Sequence, residues 1–261
     1  MAGAQRVTLI QPHAYRCEGI ADQEMMRTQI EAECFDAELD FAFVAPEQRL
    51  SDFKLLVMDM DSTLITIECI DEIADMQGLK PQVAEITEAA MRGEIEFRES
   101  LVLRVSLLKG LNASALQRVY DERLRFSPGA EAMLSAVKAA GLKTLLVSGG
   151  FTFFTDRVKQ RLDLDYARSN ELEIANGQLT GKIHGDIVDA DEKKRTTERV
   201  CAQLGITSQQ AIIMGDGAND LKMMQIAGLS VAFRAKPVVR AQADIALNFV
   251  GLDGILNLFT K

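Results

Sequence analysis

The chain has 261 residues, of which 48% are hydrophobic and 26% are charged, as is usual for a globular protein of one or two domains. Its formal net charge of −9 argues against a nucleic-acid partner, because such proteins normally carry clustered Lys and Arg that neutralise phosphates. The first residues do not read as a secretory signal, and no apolar run reaches the length of a membrane span. We therefore expect a cytoplasmic protein with no membrane partner.

The four cysteines support the same location. Cys17, Cys34, Cys69 and Cys201 are scattered along the chain, with no Cys-x-x-Cys pair among them. This spacing indicates neither a zinc site nor a disulfide framework, so reduced thiols are expected.

Residues 1–50 form an amino-terminal extension of undetermined role. The pattern predicts a strand at 6–10, a helix around 22–33 and a second strand near 40–44. This is too little for an independent core. The extension could mediate dimerisation, regulate the protein or cover a sheet edge, and the sequence leaves a monomer and a homodimer equally open.

The next segment begins with an apolar run and continues with helical patterns. Residues 54–58 predict a buried strand that stops at two acids, Asp59 and Asp61. Helical spacing of apolar residues then recurs at 69–76, 82–91, 97–108 and 114–124, separated by glycines. We predict a four-helix insertion over residues 66–125 that acts as a cap.

From residue 126 onward, helices and strands alternate. A helix is predicted at 130–140, and strands at 142–147, 211–214 and 229–233, with a further helix after Gly150. The Asn176-Gly177 step within 171–181 indicates a β-hairpin. The alternation predicts an α/β fold with a parallel sheet, formed by residues 51–65 and 126–261.

The chemistry-bearing residues follow predicted strands. Asp59 and Asp61 should emerge at the carboxyl end of their strand, where two close carboxylates call for a cation or a shared proton. A second strand ends in Gly-Asp-Gly-Ala-Asn-Asp at 215–220, where Asp216 offers another oxygen ligand. Each acidic pattern alone also fits a turn or a helix cap.

A third strand ends in Ser148-Gly149-Gly150, which supplies a hydroxyl and accessible N–H groups suited to phosphate, although alone it also fits a plain turn. The charged segment 191–195 should supply a lysine to neutralise a phosphoryl oxygen. Lys193 is preferred over Lys194, although a run of charges is usually a solvated helix face.

In this order, the motifs resemble those of the haloacid dehalogenase superfamily of phosphatases over roughly residues 52–258. Asp-Met-Asp-Ser-Thr at 59–63, the run 67–72, Arg92-Gly93, Phe97 and Arg104-Val105 look like its phosphoserine-specific subgroup. The resemblance implies a Rossmann-like parallel sheet with an inserted four-helix cap. It also implies Mg²⁺-dependent hydrolysis of O-phosphoserine to serine and phosphate, the last step of serine biosynthesis.

The resemblance also implies roles for individual residues. Asp59 matches the nucleophile that becomes a phosphoaspartate, and Asp61 matches the general acid and base. Mg²⁺ would be held by the side chains of Asp59 and Asp216 and by the backbone carbonyl of Asp61, with Asp220 behind them. Mn²⁺ remains an alternative to Mg²⁺.

Other matching positions concern the substrate. Ser148, Gly149 and Lys193 match the residues that hold the phosphate, and Asn219 matches a substrate contact. On the cap, Glu68 and Arg104 match the partners of the substrate's ammonium and carboxylate, and Phe97 would pack nearby. Glu68 and Arg104 could instead form a surface ion pair, and Phe97 could be a core residue.

Three other functions stay open at this stage. The same scaffold could pass the phosphoryl group to another hydroxyl acceptor such as homoserine. A phosphorylatable signalling receiver also uses an Asp at a strand end, Mg²⁺, a hydroxyl and a Lys, but it explains neither the cap nor Asp61. The third alternative is an amino-acid sensor without catalytic activity.

Overall fold

The computed structural model of the protein describes residues 4–20, 23–92 and 94–260, without the side chains of residues 23–25 and 91. Residue 22 of the predicted first helix and Gly93 of the Arg92-Gly93 motif lie outside the described residues.

The amino-terminal segment is a two-stranded hairpin followed by a helix. Its elements are β1 (Arg6–Gln11), β2 (Ala14–Glu18) and α1 (Gln23–Asp36). The first strand and the helix were predicted, whereas β2 was not. The hairpin is antiparallel and forms a sheet of its own.

The prediction of a strand near residues 40–44 is wrong. This stretch is irregular, and its polar end is bound to a loop at the far end of the chain. The carboxylate of Asp40 accepts hydrogen bonds from the backbone N–H groups of Asn248, Phe249 and Val250 at 2.7, 2.9 and 3.0 Å. The alternating apolar pattern reflects two contacting rings, Phe41 and Phe43, rather than a strand in a ladder.

The described residues form a second, seven-stranded sheet in the order β6-β5-β4-β3-β7-β8-β9. Its strands are β3 (Leu55–Met58), β4 (Lys143–Phe151), β5 (Tyr166–Ala175), β6 (Gln178–His184), β7 (Ala211–Gly215), β8 (Leu229–Phe233) and β9 (Ile245–Leu247). Only β5 and β6 pair antiparallel; the other neighbouring strands of this sheet are parallel. The predicted hairpin at 171–181 is the β5–β6 pair, with positive φ at both Asn176 and Gly177.

The central strands are buried on both faces, as their continuous apolar runs indicated. Leu56 and Met58 of β3 point into one hydrophobic cluster, while Leu55 and Val57 point into the other. Because successive side chains alternate between faces, each central strand contributes to both clusters.

The helical insertion lies between β3 and β4. Its helices are α2 (Cys69–Asp75), α3 (Lys80–Met91), α4 (Phe97–Leu107) and α5 (Ser114–Arg118), the last continuing as a π-type turn over Val119–Arg123. The chain enters and leaves the insertion side by side, because Ile65 and Phe126 form a β-bridge. The four predicted helices are therefore present.

Further helices flank the sheet: α6 (Ala130–Ala139), α7 (Thr152–Leu162), α8 (Ala190–Leu204), α9 (Leu221–Met224) and α10 (Pro237–Arg240). The predicted class, an α/β fold with a Rossmann-like parallel sheet, is confirmed. Within the described ranges, none of the helices combines the length and apolarity that crossing a bilayer requires.

Asp165 joins the starts of two neighbouring strands of this sheet and gives a test of the fold. Its carboxylate accepts from the backbone N–H of Thr144 at 2.9 Å and from Lys143 Nζ at 2.6 Å. Partial burial alone would raise the pKa of Asp165, but the hydrogen bonds from Lys143 and Thr144 hold it below its usual value.

We expect Asp165→Asn to lower the free energy of unfolding by about 1 kcal/mol at neutral pH. A lowered folded-state pKa stabilises the protein above the unfolded-state pKa of about 4, and this stabilisation is lost as the pH falls through the folded-state value. The difference between variant and wild type in chemical denaturation should therefore shrink below about pH 4. Asp163→Asn is the control, because that side chain is 97% exposed; an equal loss in both variants would contradict the assignment.

Candidate active site

The candidate site lies at the carboxyl ends of three adjacent parallel strands. Strand β3 is flanked by β4 and β7, with Met58 opposite both Leu146 and Met214. Asp59 follows Met58 directly, and Ser148 and Asp216 come two residues after Leu146 and Met214, so all three reach the same sheet edge.

A fully buried lysine binds two carboxylates at this edge. Lys193 Nζ lies 2.9 Å from Asp59 Oδ1 and 2.7 Å from Asp220 Oδ1. Burial disfavours the charged ammonium, but Asp220 and Asp59 outweigh it and hold the pKa of Lys193 above its usual value. Burial and the neighbouring Asp220 raise the pKa of Asp59, and Lys193 partly opposes this. Lys194 instead lies 4.0 Å from Glu198 on the exposed side of α8.

The two oxygens of Asp59 differ in their surroundings. Oδ1 accepts a hydrogen bond from Met60 N at 2.7 Å and binds Lys193. In the part of the chain that the structure describes, Oδ2 has no assigned hydrogen-bond partner. One oxygen is thus fixed in place while the other is available to a reactant.

Asp61 lies beside the end of β4. Its Oδ1 accepts from the backbone N–H of Cys69 at 3.1 Å, and a Cβ placed on Gly150 would come within 2.5 Å of its Oδ2. Burial and then the charge of Glu68 raise the pKa of Asp61 to about 7. A carboxyl group with such a pKa can both donate and accept a proton near neutral pH.

Three carboxylates converge closely enough to hold a cation. Asp59, Asp216 and Asp220 each offer a carboxylate oxygen, and these atoms lie within 4.8 Å of one another. Burial and Asp220 raise the pKa of Asp216 to about 7, while the hydroxyl of Thr63 donates to its Oδ1 at 3.1 Å. Carboxylate oxygens under mutual repulsion suit a hard divalent cation.

The carboxylates of this cluster differ in their partners. Asp220 binds Lys193 through Oδ1 and accepts from Gly217 N through Oδ2 at 3.1 Å. Asp216 accepts from Thr63 through Oδ1 and keeps Oδ2 with no assigned partner among the described residues. The donor set therefore fits a cation between Asp59 and Asp216, with Asp220 supporting Lys193.

Ser148 and Gly149 form a cradle at the end of β4. Ser148 Oγ accepts from Gly150 N at 2.8 Å, which leaves its hydroxyl proton for another acceptor. Asn170 fixes this turn, since its Nδ2 donates to Gly149 O and its Oδ1 accepts from Val188 N, both at 2.7 Å.

Residues of the helical insertion lie over this edge. Ser62 donates to Glu68 Oε1 at 2.6 Å, and burial raises the pKa of the Glu68 carboxyl although part of the side chain stays exposed. Burial lowers the pKa of Arg104, against the opposing charges of Asp71, Glu68 and Asp61. The ring of Phe97 would touch a Cβ on Gly149 at 3.2 Å.

The structure thus brings the predicted residues of β3, β4, β7 and α8 together, with Glu68, Phe97 and Arg104 beside them. Asn219 lies on the loop of Asp216, where its Oδ1 would clash at 2.2 Å with a Cβ on Gly217. The Thr63 hydroxyl has no role in the prediction from sequence, although Thr63 belongs to the Asp-Met-Asp-Ser-Thr motif. Asn170 carried no sequence signal.

Comparison with known proteins agrees with this geometry. The family description "haloacid dehalogenase-like hydrolase" matches residues 56–225, which is more than half of the chain. The chain belongs to this family. The predicted superfamily and a hydrolase function are thereby confirmed.

Individual relatives are similar to this chain in sequence and in structure. A phosphoserine phosphatase of Polaromonas sp. strain JS666 is 59% identical over 218 residues, which cover 82% of this chain and 92% of the relative. A probable phosphoserine phosphatase from Vibrio cholerae, solved without ligand, is 41% identical with a TM-score of 0.79, covering 94% of this chain and 76% of that one. A structure named as a phospho-aspartyl intermediate analogue of phosphoserine phosphatase is 38% identical with a TM-score of 0.75, covering 80% and 99%.

The hydrogen bond from Thr63 to Asp216 gives a test of the cation site. We expect Thr63→Val to weaken Mg²⁺ binding about tenfold, because Asp216 loses the donor that orients it. Isothermal titration with MgCl₂ measures this. Thr66→Val removes an exposed hydroxyl that lies 3.4 Å from the carbonyl of Arg125 and should leave the affinity unchanged. Equal Mg²⁺ affinities of the two variants would indicate that the cation binds elsewhere.

Proposed function

We propose that the protein is a Mg²⁺-dependent phosphatase that hydrolyses O-phosphoserine to serine and inorganic phosphate through a phosphoaspartate on Asp59. The observation that carries this proposal is the arrangement of Asp59, with Oδ1 fixed by Lys193 and Met60 N and Oδ2 without an assigned partner among the described residues. Relatives named phosphoserine phosphatase at up to 59% identity support the substrate. In this proposal the chain supplies serine at the last step of its biosynthesis.

In the first step, Asp59 Oδ2 attacks phosphorus, and the bond from phosphorus to the serine oxygen breaks. An alkoxide is a poor leaving group, so Asp61 in its protonated form donates a proton to the departing oxygen. Its pKa of about 7 makes this form available. In the second step, the Asp61 carboxylate accepts a proton from water as the water oxygen attacks phosphorus and releases Asp59 and phosphate.

Charge on the phosphoryl oxygens has to be balanced during both steps. Lys193, the Ser148 hydroxyl and the N–H of Gly149 would bind these oxygens, which is positioning and electrostatic stabilisation rather than covalent chemistry. Asp59, Asp216 and the backbone carbonyl of Asp61 would hold Mg²⁺. When bound, this ion withdraws charge from the phosphate and reduces its repulsion of Asp59.

The amino-acid end of the substrate explains the charges of the insertion. We propose that Glu68 binds the ammonium group, that Arg104 binds the carboxylate as a bidentate partner, and that Phe97 and Asn219 border the pocket. Residues 66–125 then act as a cap that excludes water, over a core formed by residues 51–65 and 126–261. We keep the cytoplasm as the proposed location, in agreement with four free cysteines.

Asp59 and Asp61 can be tested separately. We expect Asp59→Asn to abolish phosphate release from phosphoserine, because an amide does not attack phosphorus. Asp61→Asn should slow release by about 10²–10⁴-fold, since the leaving oxygen loses its proton donor. Malachite-green detection of phosphate gives both rates, and quenched mass spectrometry should find a phosphorylated peptide around Asp59 in wild type.

Two results would contradict this assignment. Turnover by Asp59→Asn at the wild-type rate would exclude Asp59 as the nucleophile. Release of phosphate that requires an added alcohol such as homoserine would favour the phosphotransferase instead of the hydrolase. Wild type should release phosphate with water as the only acceptor.

Substrate recognition can be tested at the cap. We expect Arg104→Met and Glu68→Gln each to raise KM for phosphoserine at least tenfold, because a charged partner of the substrate is lost. Phosphoethanolamine lacks the carboxylate, so Arg104→Met should leave its low turnover unchanged. Arg118→Met serves as the control, since Arg118 is also on the insertion but pairs with Glu122. An unchanged KM for phosphoserine in both pocket variants would contradict the assignment of Glu68 and Arg104 to the amino-acid pocket.

A further inference from the structure

An ion pair joins the helical insertion to the helix that carries Lys193. Arg98, the second residue of α4, places Nε 2.5 Å from Asp189 Oδ2, and its NH2 group lies 3.5 Å from the carbonyl of Ile187. The two residues are 91 positions apart in the sequence. The contact therefore depends on how the insertion sits on the core.

Asp189 also starts helix α8. Its Oδ1 accepts from Glu192 N at 2.8 Å, and its backbone carbonyl accepts from Lys193 N at 2.8 Å. The carboxylate thus caps the helix with one oxygen and binds Arg98 with the other. Arg98 is therefore linked through Asp189 to the first turn of α8, where Lys193 is located.

The neighbouring residue on α4, Phe97, contacts the turn at the end of β4. Phe97 lies against Gly149 in the phosphate cradle, at 3.2 Å from a Cβ built there. Arg98 and Phe97 therefore fix the amino-terminal end of α4 against the two elements that hold the phosphate. The opposite side of the insertion is attached through the backbone, because Gly110 N donates to Leu179 O at 2.8 Å and Ala113 N donates to Gly177 O at 2.9 Å.

We propose that Arg98 is a positioning residue, whose ion pair with Asp189 holds the insertion closed over the phosphate site and couples closure to the helix of Lys193. This inference rests on the proposed function and deepens it. Arg98 touches no reacting atom in this mechanism; it acts through Asp189 and Phe97. Because its side chain is 54% exposed, the pair should be sensitive to salt.

The test compares four variants on phosphoserine. Arg98→Met and Asp189→Asn should each raise KM about fivefold with kcat changed less than about twofold, which is the upper range for a half-exposed ion pair. Asn caps a helix as well as Asp does, so Asp189→Asn keeps α8 intact. The double variant should be no worse than either single variant, and Arg98→Lys should recover part of the loss.

Arg118→Met is the matched control, because Arg118 is a similarly exposed arginine of the insertion whose partner Glu122 lies in the same segment. It should keep the wild-type KM. High salt should raise the wild-type KM toward that of Arg98→Met and should affect the variant less.

Hydrogen–deuterium exchange gives a readout that does not depend on activity. Arg98→Met should speed exchange of backbone amides in α4, whereas Arg118→Met should not. The inference is overturned if Arg98→Met keeps the wild-type KM and exchange, or if the effects of Arg98→Met and Asp189→Asn simply add. A wild-type protein that releases no phosphate from phosphoserine would contradict the proposed function instead, and exchange would still decide whether the pair holds the insertion.

Discussion

The site depends on one buried ammonium group held between two buried carboxylates. Lys193 is fully buried, so its charge is tolerated only because Asp59 and Asp220 both bind it. With Asp216 included, the cluster has more negative than positive charge. Burial raises the pKa values of Asp59 and Asp216, and repulsion between the carboxylates raises them further. The cluster therefore carries an excess of negative charge, which a divalent cation would balance. A charge pattern that is incomplete without its ligands stabilises the bound state rather than the empty one.

The sheet supplies the rigidity that this charge pattern requires. Strand β3 is central and its four residues are buried, so Asp59 leaves it in a fixed direction. Two glycines let the carboxylates approach the neighbouring strands. A Cβ on Gly215 would lie 2.4 Å from Asp220 Oδ2, and a Cβ on Gly150 would lie 2.5 Å from Asp61 Oδ2. Side chains at either position would push the acids away from the site.

Local patterns predicted the central strands and the acids that follow them, because an apolar run that ends in Asp or Gly is a signal contained in a few residues. The choice between Lys193 and Lys194 needed the resemblance, since only the packing of α8 decides which of two adjacent lysines faces inward. Residues 40–44 were misread because a distant loop uses the Asp40 carboxylate. Asn170 and Arg98 were missed for the same reason: their partners lie 18 to 91 positions away, and no local pattern records such contacts.

One turn connects the chemistry to recognition of the substrate. Ser62 follows Asp61 directly and adopts a φ of 55°, a conformation that costs energy for a residue with a side chain. In this conformation its hydroxyl donates to Glu68, while Asp61 accepts from the N–H of Cys69. The proposed acid and the proposed ammonium partner are therefore held by the same short stretch of backbone. In the proposed mechanism, this turn therefore sets the position of both the group that selects the amino acid and the group that protonates its oxygen.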